Sequence, residues 1–85
     1  MKVPVCLKSK DGKDTLHYVV PREKTIAEMM MKLRKHIKIL PNQAMFIFVN
    51  GVLPPNSAML GDVYDAHKSD NGTLNIIYSL ENTFG

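Results

Sequence analysis

Residues 25–40 read TIAEMMMKLRKHIKIL, with Pro41 next, and the fold turns on whether this stretch is a helix. Thr25 is placed to accept a hydrogen bond from the backbone N–H of residue 28, while the Glu28 side chain reaches back to the N–H of Thr25, the reciprocal pair of a capping box. Ile26, Met30, Leu33 and Ile37 then recur at the spacing of one helical face, and Lys32, Lys35 and Lys38 lie off it. The pattern predicts a helix that starts at this cap and is stopped by Pro41. Three consecutive methionines cannot all face one core. Met30 fits the apolar stripe, which leaves Met29 and Met31 as flexible packing at its flanks.

Upstream of the helix, KVPVCLK (residues 2–8) alternates as a strand, with Val3, Val5 and Leu7 on one face and Lys2, Pro4, Cys6 and Lys8 on the other. SKDGKD is a turn carrying the hairpin signal Asp11-Gly12, and residues 16–20 return with Leu16, Tyr18 and Val20 on one face, so an antiparallel pair is predicted. Downstream, MFIFVN (residues 45–50) is short, apolar and bounded by Pro41 and Asn50-Gly51, which predicts a buried strand. Ser57 or Asn56 is placed to cap a short helix through DVYDAHK. Asn71-Gly72 then turns the chain into TLNIIYS, whose inward face is Leu74, Ile76 and Tyr78. This order of elements specifies an α+β fold of the β-grasp, ubiquitin-like type: a mixed four-stranded sheet packed on one main helix plus a short helix. A ferredoxin-like arrangement needs a second long helix, and residues 57–68 are too brief and too polar to supply it. The domain is expected to cover residues 1–80, followed by a flexible tail over residues 81–85.

Composition narrows the function classes. At 85 residues, with 45% hydrophobic and 22% charged side chains, the chain has the balance of one small globular domain and not of a disordered segment. Its single cysteine, Cys6, rules out an internal disulfide or a cysteine metal cluster, which suits a reducing compartment and predicts a cytoplasmic protein. No apolar run approaches the ~20 residues that cross a bilayer. Residues 1–40 carry +6 and residues 41–85 carry −3, a divided field that is either a solvated basic helix face or a surface for an acidic partner. Nucleic-acid motifs are absent and no nucleic-acid partner is expected. His17, His36 and His67 have no metal-ligand spacing, and Cys6 has no catalytic partner in the sequence. Asp62 and Asp65 are accounted for by the short helix and its dipole, so neither an enzyme nor a cofactor is expected.

Two features call for more than packing. The outer face of the first hairpin carries Pro4, Cys6 and Val19 beside His17, where alternation would place polar residues. Two readings weigh equally: scattered surface apolarity, or a groove in which the free edge of the second strand accepts an extended peptide. The other feature is the ending ENTFG, in which Gly85 has no Cβ to obstruct an enzyme channel around its carboxylate.

In KVPVCLK, HYVVP, LRKHIKI, PNQAMFIFVNGVLPP, AMLGDVYDAHKSDNGTLNIIYS and ENTFG the chain resembles the autophagy ubiquitin-like modifiers of the GABARAP and microtubule-associated protein light-chain 3 family. The resemblance spans essentially the whole chain. It implies a modifier, itself not an enzyme, conjugated through Gly85 to phosphatidylethanolamine, with Phe84 as the adjacent recognition residue. Activating and conjugating enzymes of the pathway are the implied partners, together with a processing or deconjugating cysteine protease. The lipid-linked form is expected on the autophagosomal membrane, acting in autophagosome formation and recruiting cargo receptors through short aromatic-x-x-aliphatic motifs. Carried over position by position, the aromatic pocket and edge strand use Lys2, Pro4, Cys6, His17, Tyr18, Val19 and Thr73. The second pocket uses Val20, Pro21, Lys24, Met29, Lys32, Leu33 and Arg34.

Departures from the family pattern are specific. The family carries two helices before its first strand, and a member lacking that extension is expected here. Thr73 stands where an aromatic residue usually borders the aromatic pocket, Cys6 replaces a bulkier aliphatic side chain, and Lys24 and Lys32 stand where apolar residues border the second. At ~25 cal/mol per Å² of lost apolar wall, weaker or altered peptide binding is the expected result. Three rival readings use the same fold: a protein-conjugated autophagy modifier of the ligase-forming type, a sulfur carrier, and an interaction domain never conjugated. The sulfur carrier is disfavoured by Phe84, which breaks a Gly-Gly ending.

Overall fold

Strand β1 (Lys2–Ser9) turns through Gly12, whose φ of 77° is the left-handed conformation open to glycine, into β2 (Thr15–Pro21). The two pair antiparallel, with Val3 opposite Val20 and Val5 opposite Tyr18. Helix α1 (Ile26–His36), β3 (Gln43–Phe48), α2 (Leu60–His67) and β4 (Leu74–Asn82) follow. The computed structural model describes residues 2–82. Strand β4 inserts between β1 and β3, parallel to the first and antiparallel to the second, giving the order β2-β1-β4-β3. This is the expected mixed sheet of an α+β ubiquitin-like fold.

One face of the sheet is the core. Val3, Val5, Leu7, Val20, Ile47, Leu74, Ile76 and Tyr78 are buried there with Ile26, Met29 and Leu33 of α1 and with Leu60 and Val63 of α2. Burying each such aliphatic side chain contributes roughly 1.5–3 kcal/mol before entropy is charged against it. The capping box forms as expected: the Thr25 hydroxyl accepts the Glu28 N–H at 3.2 Å, and Glu28 accepts the Thr25 N–H at 3.0 Å.

Several expectations need correction. Helix α1 ends at His36, well before Pro41, because Ile37 is already extended at φ −101°, ψ 122°. Ile37 and Ile39 then touch the core while Lys38 and Leu40 face solvent, so this alternating, β-branched stretch packs with period two, and Pro41 further disfavours helix at Leu40. The apolar stripe is Ile26, Met29 and Leu33: Met29 is in the core, Met30 sits partly buried at its edge, and Met31 is exposed. Strand β3 is buried on one face only, since Met45 and Ile47 point inward while Phe46 is exposed. Pairing of β4 continues to Asn82, opposite Gln43, so residues 81–82 belong to the sheet and not to a tail; residues 83–85 lie outside the described residues.

Neither Ser57 nor Asn56 caps α2 with its side chain. Met59 is the N-cap, and the first donors of α2 go across the molecule, Leu60 N–H to the Lys24 carbonyl at 2.8 Å and Gly61 N–H to the Arg22 carbonyl at 3.0 Å. In return, the Ile26 and Ala27 N–H groups of α1 donate to the carbonyls of Ala58 and Asn56 at 2.9 and 3.0 Å. Orphan donors of both helices are thus satisfied by a reciprocal clasp. Arg22 locks it by forking onto Asp65, Nη1 to Oδ1 at 3.2 Å and Nη2 to Oδ2 at 2.7 Å.

Gly61 makes the clasp possible, since a Cβ there would lie 2.9 Å from Arg22 Cβ and 2.8 Å from Arg22 Nε. Gly61→Ala is therefore expected to lower unfolding free energy by about 1–3 kcal/mol, the usual cost of overpacking. Urea unfolding followed by circular dichroism measures it; an unshifted midpoint would mean that α2 does not seat on Arg22.

Candidate functional site

Because β2 is outermost in the sheet, one side of its backbone pairs with β1 and the other faces no strand among the described residues. Its side chains alternate between two flanks of that free edge. Thr15, His17 and Val19 lie on the outer face of the sheet, while Leu16, Tyr18 and Val20 turn toward α1.

On the outer flank the register brings the expected residues together: Pro4 lies opposite Val19, and Cys6 lies between His17 on β2 and Asn75 on β4. Val19 is 57% exposed, whereas Cys6 is only 7% exposed, so the thiol is a floor rather than a surface group. Thr73 immediately precedes Leu74, the partner of Val5, and its backbone is held in the preceding turn by Ser69 and Asn71. Lys2 is exposed at the end of the strand, opposite Pro21. Tyr18 contributes its backbone to the edge, but its ring belongs to the helix side, 5.7 Å from the His36 ring and 5.7 Å from the Lys32 ammonium.

The inner flank is a cleft of ≈ 520 Å³ between β2 and α1. Of the residues that the resemblance assigns to the second pocket, Val20, Pro21, Lys24, Met29 and Lys32 line this cleft. Leu33 does not, being sealed in the core below, and exposed Arg34 lies outside the lining. Glu28, Met31, Lys35 and His36 complete the cleft and were not expected. Part of their signal was present: Glu28, Met31 and Lys35 recur at three- and four-residue spacing, a stripe of α1 beside Lys32, with Lys24 four residues before Glu28. Gly85 and Phe84 lie outside the described residues.

A larger groove of ≈ 830 Å³ lies at another end of the sheet, between the β1–β2 turn and the chain after α1. Its rim mixes Lys10, His36 and Lys38 with Asp11, Asp14 and Glu81, so it favours neither sign of charge. Among the described residues no cluster of three or more His, Cys, Asp or Glu could hold a metal ion, and no helix is long and apolar enough to cross a membrane.

Three carboxyl groups sit below their ordinary range, each for a structural reason. The Thr25 backbone N–H and then its hydroxyl hold Glu28 down, the Arg22 guanidinium holds Asp65 down, and the Ser9 hydroxyl followed by the Lys13 N–H holds Asp11 down. A depressed folded pKa favours folding while the group is ionised in both states, and that contribution disappears as pH falls through the folded value. The contributions of these groups are therefore expected to be constant from about pH 8 to 5 and to decline below about pH 4. Thermal melts across that range check the sign. Replacing Asp65 with Asn should reduce the loss below about pH 4 relative to the parent.

A parallel β1–β4 pair, a capped helix across one sheet face and a short second helix define a ubiquitin-like domain, here with an open edge strand beside a helix. The family model described as "Autophagy protein Atg8 ubiquitin like" matches residues 1–85, and the chain belongs to that family. It is 47% identical over 72 residues to autophagy-related protein 8 of Coccidioides immitis, covering 85% of this chain and 62% of that protein. The Schizosaccharomyces pombe autophagy-related protein 8 is 39% identical over 89 aligned positions, covering 99% and 74%. The crystal structure of Trypanosoma brucei ATG8 superposes with a TM-score of 0.84 at 29% identity, over 99% of this chain and 77% of that one. The chain thus spans less than two thirds of the first of these relatives.

Proposed function

We propose that the chain is a ubiquitin-like modifier of autophagy, conjugated through Gly85 to phosphatidylethanolamine, which displays the free edge of β2 to extended segments of cargo receptors. The observation that carries this reading is the position of β2: an unpaired strand edge with an apolar patch on one flank and a cleft on the other. An added strand supplies main-chain hydrogen bonds, and side chains three positions apart point to opposite faces of it. An aromatic-x-x-aliphatic motif therefore sends its aromatic residue to the Pro4, Cys6, His17 and Val19 patch. Its aliphatic residue goes to the cleft of Val20, Pro21 and Met29. That spacing fits two flanks and would not fit one.

Conjugation needs no catalytic group from this chain. The Gly85 carboxylate attacks ATP on an activating enzyme, releasing pyrophosphate, and the acyl adenylate passes to an enzyme cysteine as a thioester with loss of AMP. After transfer to the conjugating enzyme, the lipid amine attacks the thioester carbonyl, forming an amide and freeing the thiol. The lipid then supplies membrane attachment, and the autophagosomal membrane is the expected location.

Intact mass after incubation with the activating and conjugating enzymes, ATP and phosphatidylethanolamine vesicles tests the reading. A lipid-sized gain in the parent and none in Gly85→Ala is expected. An adduct only on protein lysines would support the ligase-forming type of modifier, and no adduct on a folded chain would leave an unconjugated interaction domain.

A further inference from the structure

The sheet has a second free edge. Strand β3 is outermost on the side opposite β2, and both its ends are closed by turns of its own chain. The Gln43 N–H donates to the Leu40 carbonyl at 3.0 Å, and Val49 and Val52 exchange backbone hydrogen bonds of 2.8 and 3.0 Å. Along a strand, residues two apart direct their backbone groups to the same side. Met45 and Ile47 therefore turn their N–H and C=O away from β4, as Gln43 and Val49 do, and these groups have no backbone partner among the described residues. Natural edges are usually blunted by a charge, a proline or a bulge. QAMFIF has neither charge nor proline, and it pairs with β4 without a break. On the strand and in the turns at its ends, Phe46, Leu40, Val52 and Leu53 are left exposed.

We infer that this edge is a contact between two copies of the chain, which pair β3 with β3 antiparallel about a two-fold axis at Phe46. The free groups select the register. Met45 of each copy lies opposite Ile47 of the other, each such pair exchanges two hydrogen bonds, and every free group of the edge is satisfied. A slip of one or two residues leaves some of them unanswered. Phe46 then faces Phe46 at a position without hydrogen bonds, where cross-strand side chains approach most closely. The same register sets the 40–43 turn of one copy beside the 49–52 turn of the other, so Leu40 and Val52 extend the apolar contact. Charge favours a second copy as the occupant. Strand β3 carries none, so two copies oppose no like charges there, whereas two β2 edges would bring the lysines of α1 together. In the order β2-β1-β4-β3-β3-β4-β1-β2 the two basic halves stand at the far ends, about seven strand spacings of ~4.8 Å apart and several Debye lengths away. Both β2 edges stay open in this pair. The self-association does not rest on the peptide-acceptor reading above.

Sedimentation equilibrium of the full chain is the test. The apparent mass is expected to rise from one chain toward two between about 10 μM and about 1 mM, the range of a small interface. Over the same range amide exchange at Met45 and Ile47 should slow, while exchange along β2 stays constant. Phe46→Lys and Phe46→Glu each place like charges face to face at the two-fold axis and should each stay single chains. Phe46 is 41% exposed, so neither change empties the core. An equimolar mixture of the two variants should associate at least as tightly as the parent, a rescue that loss of folding would not produce. A parent of single-chain mass at every concentration would overturn the inference. So would a parent dimer that survives Phe46→Lys, or one that Val19→Lys breaks in its place, which would put the contact at β2.

Discussion

The reciprocal clasp between the starts of the two helices is the constraint on which the rest of the structure depends. A helix leaves its first backbone donors without intrahelical partners, and in a domain this small both helix starts face protein rather than water. The chain resolves the two problems together: α1 donates to the carbonyls of Asn56 and Ala58, and α2 donates to those of Arg22 and Lys24. Residues far apart in sequence thereby fix one another. The short connection from β2 to α1 is held at its carbonyls by α2, which fixes the angle at which α1 crosses the sheet and the width of the cleft beside β2.

That dependence explains why a brief, polar helix such as α2 is needed at all. It buries few side chains beyond Leu60 and Val63, yet its first turn and the Arg22–Asp65 fork position Pro21 and Lys24 at the mouth of the cleft. The fork itself is partly exposed, with side-chain accessibilities of 28% and 55%, so its direct electrostatic contribution is small. Its geometric effect is larger: two parallel hydrogen bonds hold the arginine stem against Gly61, where no side chain fits.

Elements with a local cause were legible in the sequence. The capping box at Thr25 and Glu28, the alternation of β1 and the turns at Gly12 and Gly72 each follow from groups a few residues apart. The order of elements then gave the topology, including the return of β4 to the middle of the sheet. What escaped had a non-local cause. The cap of α2 is made by carbonyls more than thirty residues upstream, which no local motif encodes. The end of α1 depended on Ile37 and Ile39 finding the core in extended form, and the methionine that goes inside was decided by where the sheet lies under the helix. The site follows the same division: pairing placed Pro4, Cys6, His17 and Val19 together as alternation implied, whereas Leu33 was lost to the core and Lys35 and Met31 were gained from a stripe whose orientation only packing could set.

The uneven charge of the chain takes on a physical meaning in these terms. Carboxylates at Asp11, Glu28 and Asp65 are engaged by the hairpin turn, the helix cap and the fork, and each is depressed in pKa by that work. On the cationic side only Arg22 and Lys24 have ion-pair partners among the described residues. These carboxylates are thereby tied to local partners, while Lys32 and Lys35 stand on α1 beside the open strand without an ion-pair partner among the described residues. A solvated helix needs its lysines only for solubility, and any exposed position would serve that end. Lysines on the wall of an apolar cleft cost desolvation whenever the cleft is filled, unless the ligand brings the opposite charge. Placement on that wall, more than the net +3 of the chain, sets the electrostatic cost of filling the cleft.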